Sequence, residues 1–165
     1  MKVTEFYKQE LVKRGYGSDA AQNAAIDRLQ LCQDQWLSYK EVRSGKLAKM
    51  MRLHFHEFMR EVHRELQDLR GKADPLDILG KNIAKKYRLI CFDEFHVSDV
   101  ADAMILYKLL DALFKNRVQF VMTSNYRPDL LYPDGLHRDR ILPAIALLQE
   151  KLDVMNVDAG IDYRQ

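Results

Sequence analysis

The feature that most constrains this sequence is an apolar run that leads directly into two adjacent acids. Every residue from Leu89 to Phe92 is apolar, and Asp93 and Glu94 follow without a break. A strand that is apolar on both faces is typical of the centre of a parallel sheet. In open α/β sheets, ligands bind outside the carboxyl ends of such strands. The sequence therefore predicts a central strand that delivers Asp93 and Glu94 to a ligand site.

Composition and charge narrow the class of protein around this strand. The chain has 165 residues, of which 47% are hydrophobic, enough for one globular domain with a core of its own. Its formal net charge is +2, with acids and bases interspersed. No basic cluster indicates a nucleic-acid partner, and no polybasic run indicates binding to anionic lipid.

The sequence also bears on where the protein works. No apolar run approaches the roughly 20 residues of a membrane-spanning helix, and the opening MKVTEFYKQELVKRG has no signal-peptide core. We expect a cytoplasmic protein. The sequence leaves peripheral association with a membrane open. Cys32 and Cys91 are predicted to be reduced packing residues rather than a disulfide or a metal clamp.

Hydrophobic periodicity divides the chain into a helical lead-in over residues 1–50 and an α/β part over residues 51–165. Ser18 and Asp19 offer a helix cap in the lead-in, and strand patterns alternate with helix patterns in the rest. Such alternation implies parallel strands, right-handed crossovers and a three-layer α/β fold. Predicted strands lie at 52–56, 89–92, 118–125 and 153–159, and predicted helices at 57–71, 74–86, 99–116 and 140–152.

An apolar strand that ends in Asp-Glu is the Walker B arrangement of nucleotide hydrolases. In that arrangement the aspartate orients Mg²⁺, usually through its water shell, and the glutamate aligns and deprotonates the attacking water. The pleat sends neighbouring side chains in different directions, so one acid can face the metal while the other faces the γ-phosphate. A pair of solvated acids at a strand end is the plainer interpretation of the same residues.

Longer motifs carry a specific resemblance. The stretches LICFDEFHVSDVADAMILYKLLDALF, VMTSN and LYPDGLHRDRILPAIALLQEKLDVMNVDAGIDYR closely resemble the ZapE family of AAA-like P-loop ATPases, which are bacterial cell-division proteins with mitochondrial relatives. RLHFHEFMREVHRELQDLRGKADPL is similar to the family segment that precedes the Walker B strand. The resemblance covers most of residues 52–164.

The resemblance implies roles for five side chains. Asp93 would hold Mg²⁺ through water, Glu94 would activate the attacking water, and Asn125 would take the sensor position between that water and the γ-phosphate. Arg138 and Arg140 match the arginine-finger region, which reaches the nucleotide of a neighbouring subunit. The implied function is hydrolysis of ATP, bound with Mg²⁺ between the subunits of a homo-oligomer, to act on the division ring through an FtsZ-like protein.

One element that such ATPases need is absent from the sequence. A P-loop has the pattern G-x-x-x-x-G-K-[ST], whose backbone N–H groups cradle phosphates. Ser44-Gly45-Lys46-Leu47 lacks both the upstream glycine and the hydroxyl after the lysine. The sequence therefore predicts an AAA-like parallel sheet without its P-loop strand and helix, a block of about 30 residues expected between Lys46 and Arg52. The family's C-terminal part is likewise expected to be missing.

This prediction has a geometric consequence. In AAA-like sheets the P-loop strand lies between the strand that leads to Asn125 and the last strand of the domain. We therefore expect the strand after Val118 to be separated from the strand at Val154 by about two strand spacings, roughly 10 Å.

Further interpretations stay open at this level. His54, His56 and His63 would form a metal site if the predicted strand and helix brought them together. His96, just after the acids, would support Glu94 if it turned toward it. A chain that kept the fold but lost the nucleotide site would be a non-hydrolysing interaction module, which is the alternative to an ATPase.

Overall fold

A computed structural model describes residues 1–42 and 49–158 of the chain. They form two compact units. One unit contains the N-terminal helices and the chain from Val154, and the other contains a sheet and its helices up to Asp153. Ser44-Gly45-Lys46-Leu47, the stretch compared above with a P-loop, lies outside the described ranges. No helix within those ranges has the length and apolar character needed to cross a bilayer.

The N-terminal unit is a pair of helices joined by polar contacts. Helix α1 spans Val3–Arg14 and α2 spans Ala20–Val42, which confirms the helical pattern of this part of the sequence. Asp19 caps α2 as predicted, because its Oδ1 accepts a hydrogen bond from the backbone N–H of Gln22 at 2.8 Å. The Tyr7 hydroxyl of α1 donates to Gln22 Oε1 at 2.6 Å. Neither helix contains a buried residue.

The second unit alternates strands and helices. In chain order it contains β1 (Met50–His54), α3 (Phe55–Asp68), α4 (Pro75–Lys86), β2 (Leu89–Asp93), α5 (Val100–Lys115), β3 (Gln119–Met122), two 3₁₀ turns (Pro128–Leu130 and Arg138–Arg140) and α6 (Leu142–Lys151). The strands lie in the order β1-β2-β3, and both pairs are parallel. The predicted α/β fold with parallel strands is confirmed, and β2 is its central strand.

One face of the sheet packs on the main hydrophobic core. Leu53, Phe92 and Met122 are register partners across the three strands, so they share this face. The core is aromatic near β2, where the ring of Phe55 meets that of Phe92 edge-on at 5.4 Å between centroids. The residues of the second unit that are buried to at least 98% of their surface include Phe55, Met59, Val62, Leu79, Ile90, Phe92, Ala103, Leu106, Leu109, Leu110, Leu113, Leu131, Ile141 and Ala144.

The opposite face of the sheet is less covered. Met50 is 54% exposed, and the Arg52 side chain is 71% exposed. Cys91 and Val121 are half-buried, while Leu89 is buried outside the main core. The two connections β1 to β2 and β2 to β3 step across the sheet in the same direction, so right-handed crossovers lay their helices on one face.

Helices α4 and α5 approach closely at a glycine. A Cβ atom on Gly80 would lie 2.6 Å from Cβ of Ala112 and 3.3 Å from its carbonyl carbon. Both distances are too short for an undisturbed methyl contact. Gly80 therefore allows α4 and α5 to pack side by side over the sheet.

The predicted strand at residues 52–56 is shifted. Strand β1 ends at His54, and Phe55 and His56 already belong to α3. Alternation of Leu53 and Phe55 fits a strand, but Phe55 also fits the helical spacing of Phe58, Met59 and Val62, all of which are buried. Helical packing buries all four side chains in one core, and it prevails over two residues of strand pattern.

The predicted strand at 153–159 is wrong over its described part. Residues 153–158 form no strand, and Val154 and Val157 are more than half exposed. A strand needs a neighbour to satisfy its backbone groups, and only β2 pairs with β3 among the described residues. Because residues 153–158 form no strand, the predicted spacing of roughly 10 Å between two strands stays a prediction.

The structure also defines the end of one predicted strand and the starts of two predicted helices. Strand β3 covers only four of the residues predicted between Val118 and Asn125, because the chain turns away after Met122 to bond the loop that follows β2. Asp99 caps α5 through a 2.6 Å bond from the backbone N–H of Ala101. Asp74 precedes α4, but its backbone is left-handed at φ 49° and its side chain makes no cap bond.

Candidate active site

The acid pair lies at the carboxyl end of the central strand, as the sequence predicts. Asp93 is the last residue of β2, and its side chain is 29% exposed. Glu94 follows with its side chain 74% exposed. The backbone of Glu94 is left-handed, with φ 53°, a conformation that non-glycine residues adopt at a cost of about 1–3 kcal/mol. The turn directs two neighbouring carboxylates to different places.

The end of β3 holds this turn in place. The N–H of Glu94 donates to the Thr123 hydroxyl at 3.2 Å, and the N–H of Phe95 donates to the Thr123 carbonyl at 2.7 Å. The Ser124 hydroxyl donates to the Phe95 carbonyl at 2.7 Å. These bonds join the two strand ends through their loops, and the exposed Asn125 follows immediately. The structure thus brings three of the predicted site residues to one edge of the sheet.

Strand β1 contributes basic side chains to the same edge. Arg52 donates from Nε to Asp93 Oδ2 at 2.9 Å. His54 is the register partner of Asp93, and its Nδ1 lies 3.8 Å from Glu94 Oε2, too far for a hydrogen bond. That Nδ1 atom is buried and has no hydrogen-bond partner. Each acid therefore faces one basic group from the neighbouring strand.

The two arginines of GLHRDR differ in their surroundings. Arg138 is part-buried and donates from Nη2 to the backbone carbonyl of Asp129 at 2.9 Å. Arg140 has a side chain that is 64% exposed, with only a 3.5 Å pair to its neighbour Asp139. Within residues 1–42 and 49–158, neither arginine forms an ion pair or hydrogen bond with the acid pair.

The alternative of a histidine metal site, which the sequence left open, is not supported by where the three side chains lie. His54 ends β1 and stacks on His56 of α3 with 5.6 Å between ring centroids, while His63 pairs with Asp102 of α5 at 2.6 Å. The described part of the chain contains no group of three or more His, Cys, Asp or Glu side chains placed to hold a metal ion. His96 stacks on Tyr126 at 5.0 Å instead of supporting Glu94. Cys32 and Cys91 are not joined in a disulfide.

The acids nevertheless fit a magnesium ion of the kind that accompanies ATP. Mg²⁺ keeps several of its waters and is held by one or two carboxylates together with substrate phosphates, rather than by a cage made wholly of protein. Asp93 and Glu94 offer solvent-accessible carboxylate oxygens at a strand end. A site of this type needs no third protein ligand.

Two residues of the site escaped the sequence prediction. Arg52 was assigned only to a strand, and Thr123 only to the end of one. The signal for Arg52 is its position two residues before His54, which places it on the strand face that meets Asp93 once the register is known. Thr123 gives no signal in the sequence, because its role depends on the turn at Glu94.

Comparison with known proteins places this site in a family. The family model described as AFG1-like ATPase matches residues 35–165, a region that includes all five predicted site residues. The chain belongs to the AFG1-like ATPase family. The resemblance to ZapE-type ATPases is confirmed, since the chain is 52% identical to the cell division protein ZapE of Escherichia coli K12 over 129 residues. That alignment covers 78% of this chain and 34% of the relative.

More distant members are eukaryotic. An uncharacterized protein of Schizosaccharomyces pombe is 41% identical over 123 residues, covering 72% of this chain and 27% of its own length. Lactation elevated protein 1 homolog B of Danio rerio is 42% identical over 142 residues, covering 79% of this chain and 27% of its own length. No solved structure matches the chain. This AFG1-like chain spans about a third of the length of its relatives or less.

Proposed function

We propose that this AFG1-like chain carries the hydrolytic half of a Mg²⁺-dependent ATPase site. The observation that carries the proposal is the acid pair at the end of β2, where Glu94 is held in a left-handed turn by the neighbouring strand end. Strain of this kind is stored at functional sites, because surrounding bonds must maintain it. The conformation alone does not mark a site, because Asp74, Arg117, Tyr132 and His137 are left-handed as well. At Glu94 the neighbouring strand end also bonds to the turn.

The proposed roles follow from position. Bound Mg²⁺ supplies charge stabilisation to the phosphates during transfer. Asp93 binds the water shell of that ion, and Glu94 accepts the proton of the attacking water. Asn125, which follows the Thr123-Ser124 bonds to the loop after β2, orients that water. The exposed Arg140 is the arginine that extends to the nucleotide of a neighbouring copy, and Arg138 supports the loop that carries it.

The phosphate-binding part of the site is proposed to come from residues that this chain does not contain. The sheet face that bears Arg52 and Met50 is only partly covered, whereas parallel sheets are ordinarily covered on both faces. A helix could reach that face only through a connection that steps in the reverse direction across the sheet. A P-loop strand beside β3, followed by its helix, meets both requirements.

The wider role is proposed from the resemblance. We propose a cytoplasmic homo-oligomer that binds ATP between subunits and acts on the bacterial division ring through an FtsZ-like protein. The similarity to the cell division protein ZapE supports this role. The alternative is a non-hydrolysing interaction module, which is favoured by one observation, the missing G-x-x-x-x-G-K-[ST] pattern.

Nucleotide binding distinguishes the two proposed functions when it is measured on the protein purified from the cells that produce it. The protein is purified from those cells, its intact mass is determined, and its affinity for a fluorescent ATP analogue is measured with and without Mg²⁺. The ATPase account expects Mg²⁺-dependent binding and a mass above the 19.4 kDa of these 165 residues. A mass of 19.4 kDa together with no binding would establish the interaction module.

A further inference from the structure

The shortest side-chain contact of the acid pair is made by Arg52, a residue with no assigned role. Arg52 donates from Nε to Asp93 Oδ2 at 2.9 Å, across the β1–β2 ladder. Arg52 is the register partner of Cys91 and His54 is that of Asp93, so Arg52 and Asp93 are diagonal neighbours on one sheet face. Diagonal neighbours on a sheet lie within reach of a long side chain.

The Arg52–Asp93 ion pair can be broken at little cost. The Arg52 side chain is 71% exposed, and the contact uses a single guanidinium nitrogen rather than the two-nitrogen fork of the strongest pairs. Exposed pairs of this kind contribute little stability. The guanidinium can therefore leave Asp93 without disturbing the strands beneath it.

Arg52 occupies one of the two Asp93 oxygens that a metal or its water shell would use. A carboxylate that serves Mg²⁺ must present its oxygens to the ion or to its water shell. In the present conformation one Asp93 oxygen is occupied by Arg52. A guanidinium and a divalent cation at one carboxylate repel each other, so they compete for Asp93.

We propose that Arg52 is a positioning residue that holds Asp93 while no metal is bound and is displaced when a divalent cation arrives. This inference rests on the proposed function, since it assigns Asp93 to the metal. It adds that the charge of Asp93 is balanced in both states, by Arg52 in one and by the cation in the other.

Competition is measured with Mn²⁺ as the probe, by electron paramagnetic resonance of the free ion, on the protein purified from its own cells with a non-hydrolysable ATP analogue present to supply the phosphates. Removing the competitor in Arg52→Gln should tighten Mn²⁺ binding roughly two- to fivefold, the range expected from the strength of an exposed pair. Arg60→Gln is the matched control, because Arg60 is also exposed and its replacement changes the net charge equally. Equal affinities in the two variants would overturn the inference.

Asp93→Asn separates this failure from failure of the proposed function. If Asp93→Asn weakens Mn²⁺ binding while Arg52→Gln matches Arg60→Gln, the metal role of Asp93 stands and the role of Arg52 is wrong. If Asp93→Asn binds as wild type does, the metal role itself is wrong. Absence of Mn²⁺ binding in every variant would also overturn the inference, since nothing then competes with Arg52.

A nuclear magnetic resonance measurement provides a structural readout. The Nε–H signal of Arg52 should shift on addition of Mg²⁺ toward its position in Asp93→Asn, where the ion pair is already lost. A signal that does not respond to Mg²⁺, in a sample that binds the ion, would contradict displacement.

Discussion

The backbone N–H of Glu94 donates a hydrogen bond to the hydroxyl of Thr123 at 3.2 Å, and through this bond the end of β3 fixes the turn that ends β2. The turn is left-handed at Glu94 and would suit a glycine better. The side chain proposed to accept the proton of the attacking water is thus carried on a backbone conformation that disfavours it.

Replacing Glu94 by glycine should therefore stabilise the chain. Relief of the left-handed strain is expected to raise the free energy of unfolding by up to about 1 kcal/mol. Glu94→Gln keeps the same backbone requirement and serves as the control, with unfolding unchanged from wild type. Urea titrations of the three proteins would measure the difference. A Glu94→Gly protein no more stable than Glu94→Gln would mean that the turn stores no strain.

The two arginines of GLHRDR should affect different properties, Arg138 the stability of the fold and Arg140 the turnover of ATP. Arg138→Ala removes the bond to the Asp129 carbonyl and should lower the free energy of unfolding by about 1 kcal/mol. Arg140→Ala should leave unfolding unchanged, because among the described residues its side chain is mostly exposed and pairs only with its sequence neighbour Asp139. In the assembled natural protein, Arg140→Ala should cost ATP turnover far more than ATP binding. Full turnover by Arg140→Ala, or by a strictly monomeric enzyme, would remove the finger role.

The two faces of the sheet should respond differently to truncation. Phe92 is 1% exposed on the packed face, and Phe92→Ala should cost about 3–5 kcal/mol of unfolding free energy. Val121 lies on the other face and is half-buried, so Val121→Ala should cost about 1 kcal/mol. Denaturant midpoints with unchanged slopes would give both values. Similar costs for the two substitutions would mean that the second face is covered as well as the first.

The contact between α4 and α5 predicts that alanine at position 80 destabilises the chain, whereas helix propensity alone predicts that it stabilises the helix. Alanine favours a helix interior over glycine by about 1 kcal/mol, yet Gly80→Ala should destabilise the chain by about 1–3 kcal/mol because its methyl meets Ala112. Adding Ala112→Gly should recover part of that loss. A double-mutant cycle from thermal or urea unfolding measures the coupling. Strictly additive effects would show that the two residues do not meet.

The sequence predicts the central part of this molecule well, because its signals there are local. The apolar run of β2, the cap Asp19 and the acid pair depend on residues near one another in the chain. The family resemblance located Asn125 in the same way. None of these predictions requires knowledge of the register between strands.

The parts that the sequence did not predict depend on distant partners. The pairing of Arg52 with Asp93 spans 41 positions and needs the β1–β2 register. The supposed strand at 153–158 had a plausible pattern but has no strand beside it to supply hydrogen bonds. The different environments of Arg138 and Arg140 come from the fold of their loop and not from their identical side chains.

Hydrolysis of ATP by the natural protein, measured for wild type and Glu94→Gln at the same nucleotide occupancy, tests the central claim most directly. The account predicts Mg²⁺-dependent hydrolysis by wild type, and unchanged ATP binding with hydrolysis reduced by about 10²–10⁴-fold in Glu94→Gln, because the amide cannot accept the proton of water. Undiminished turnover in Glu94→Gln, or no hydrolysis by the wild-type protein, would contradict the account.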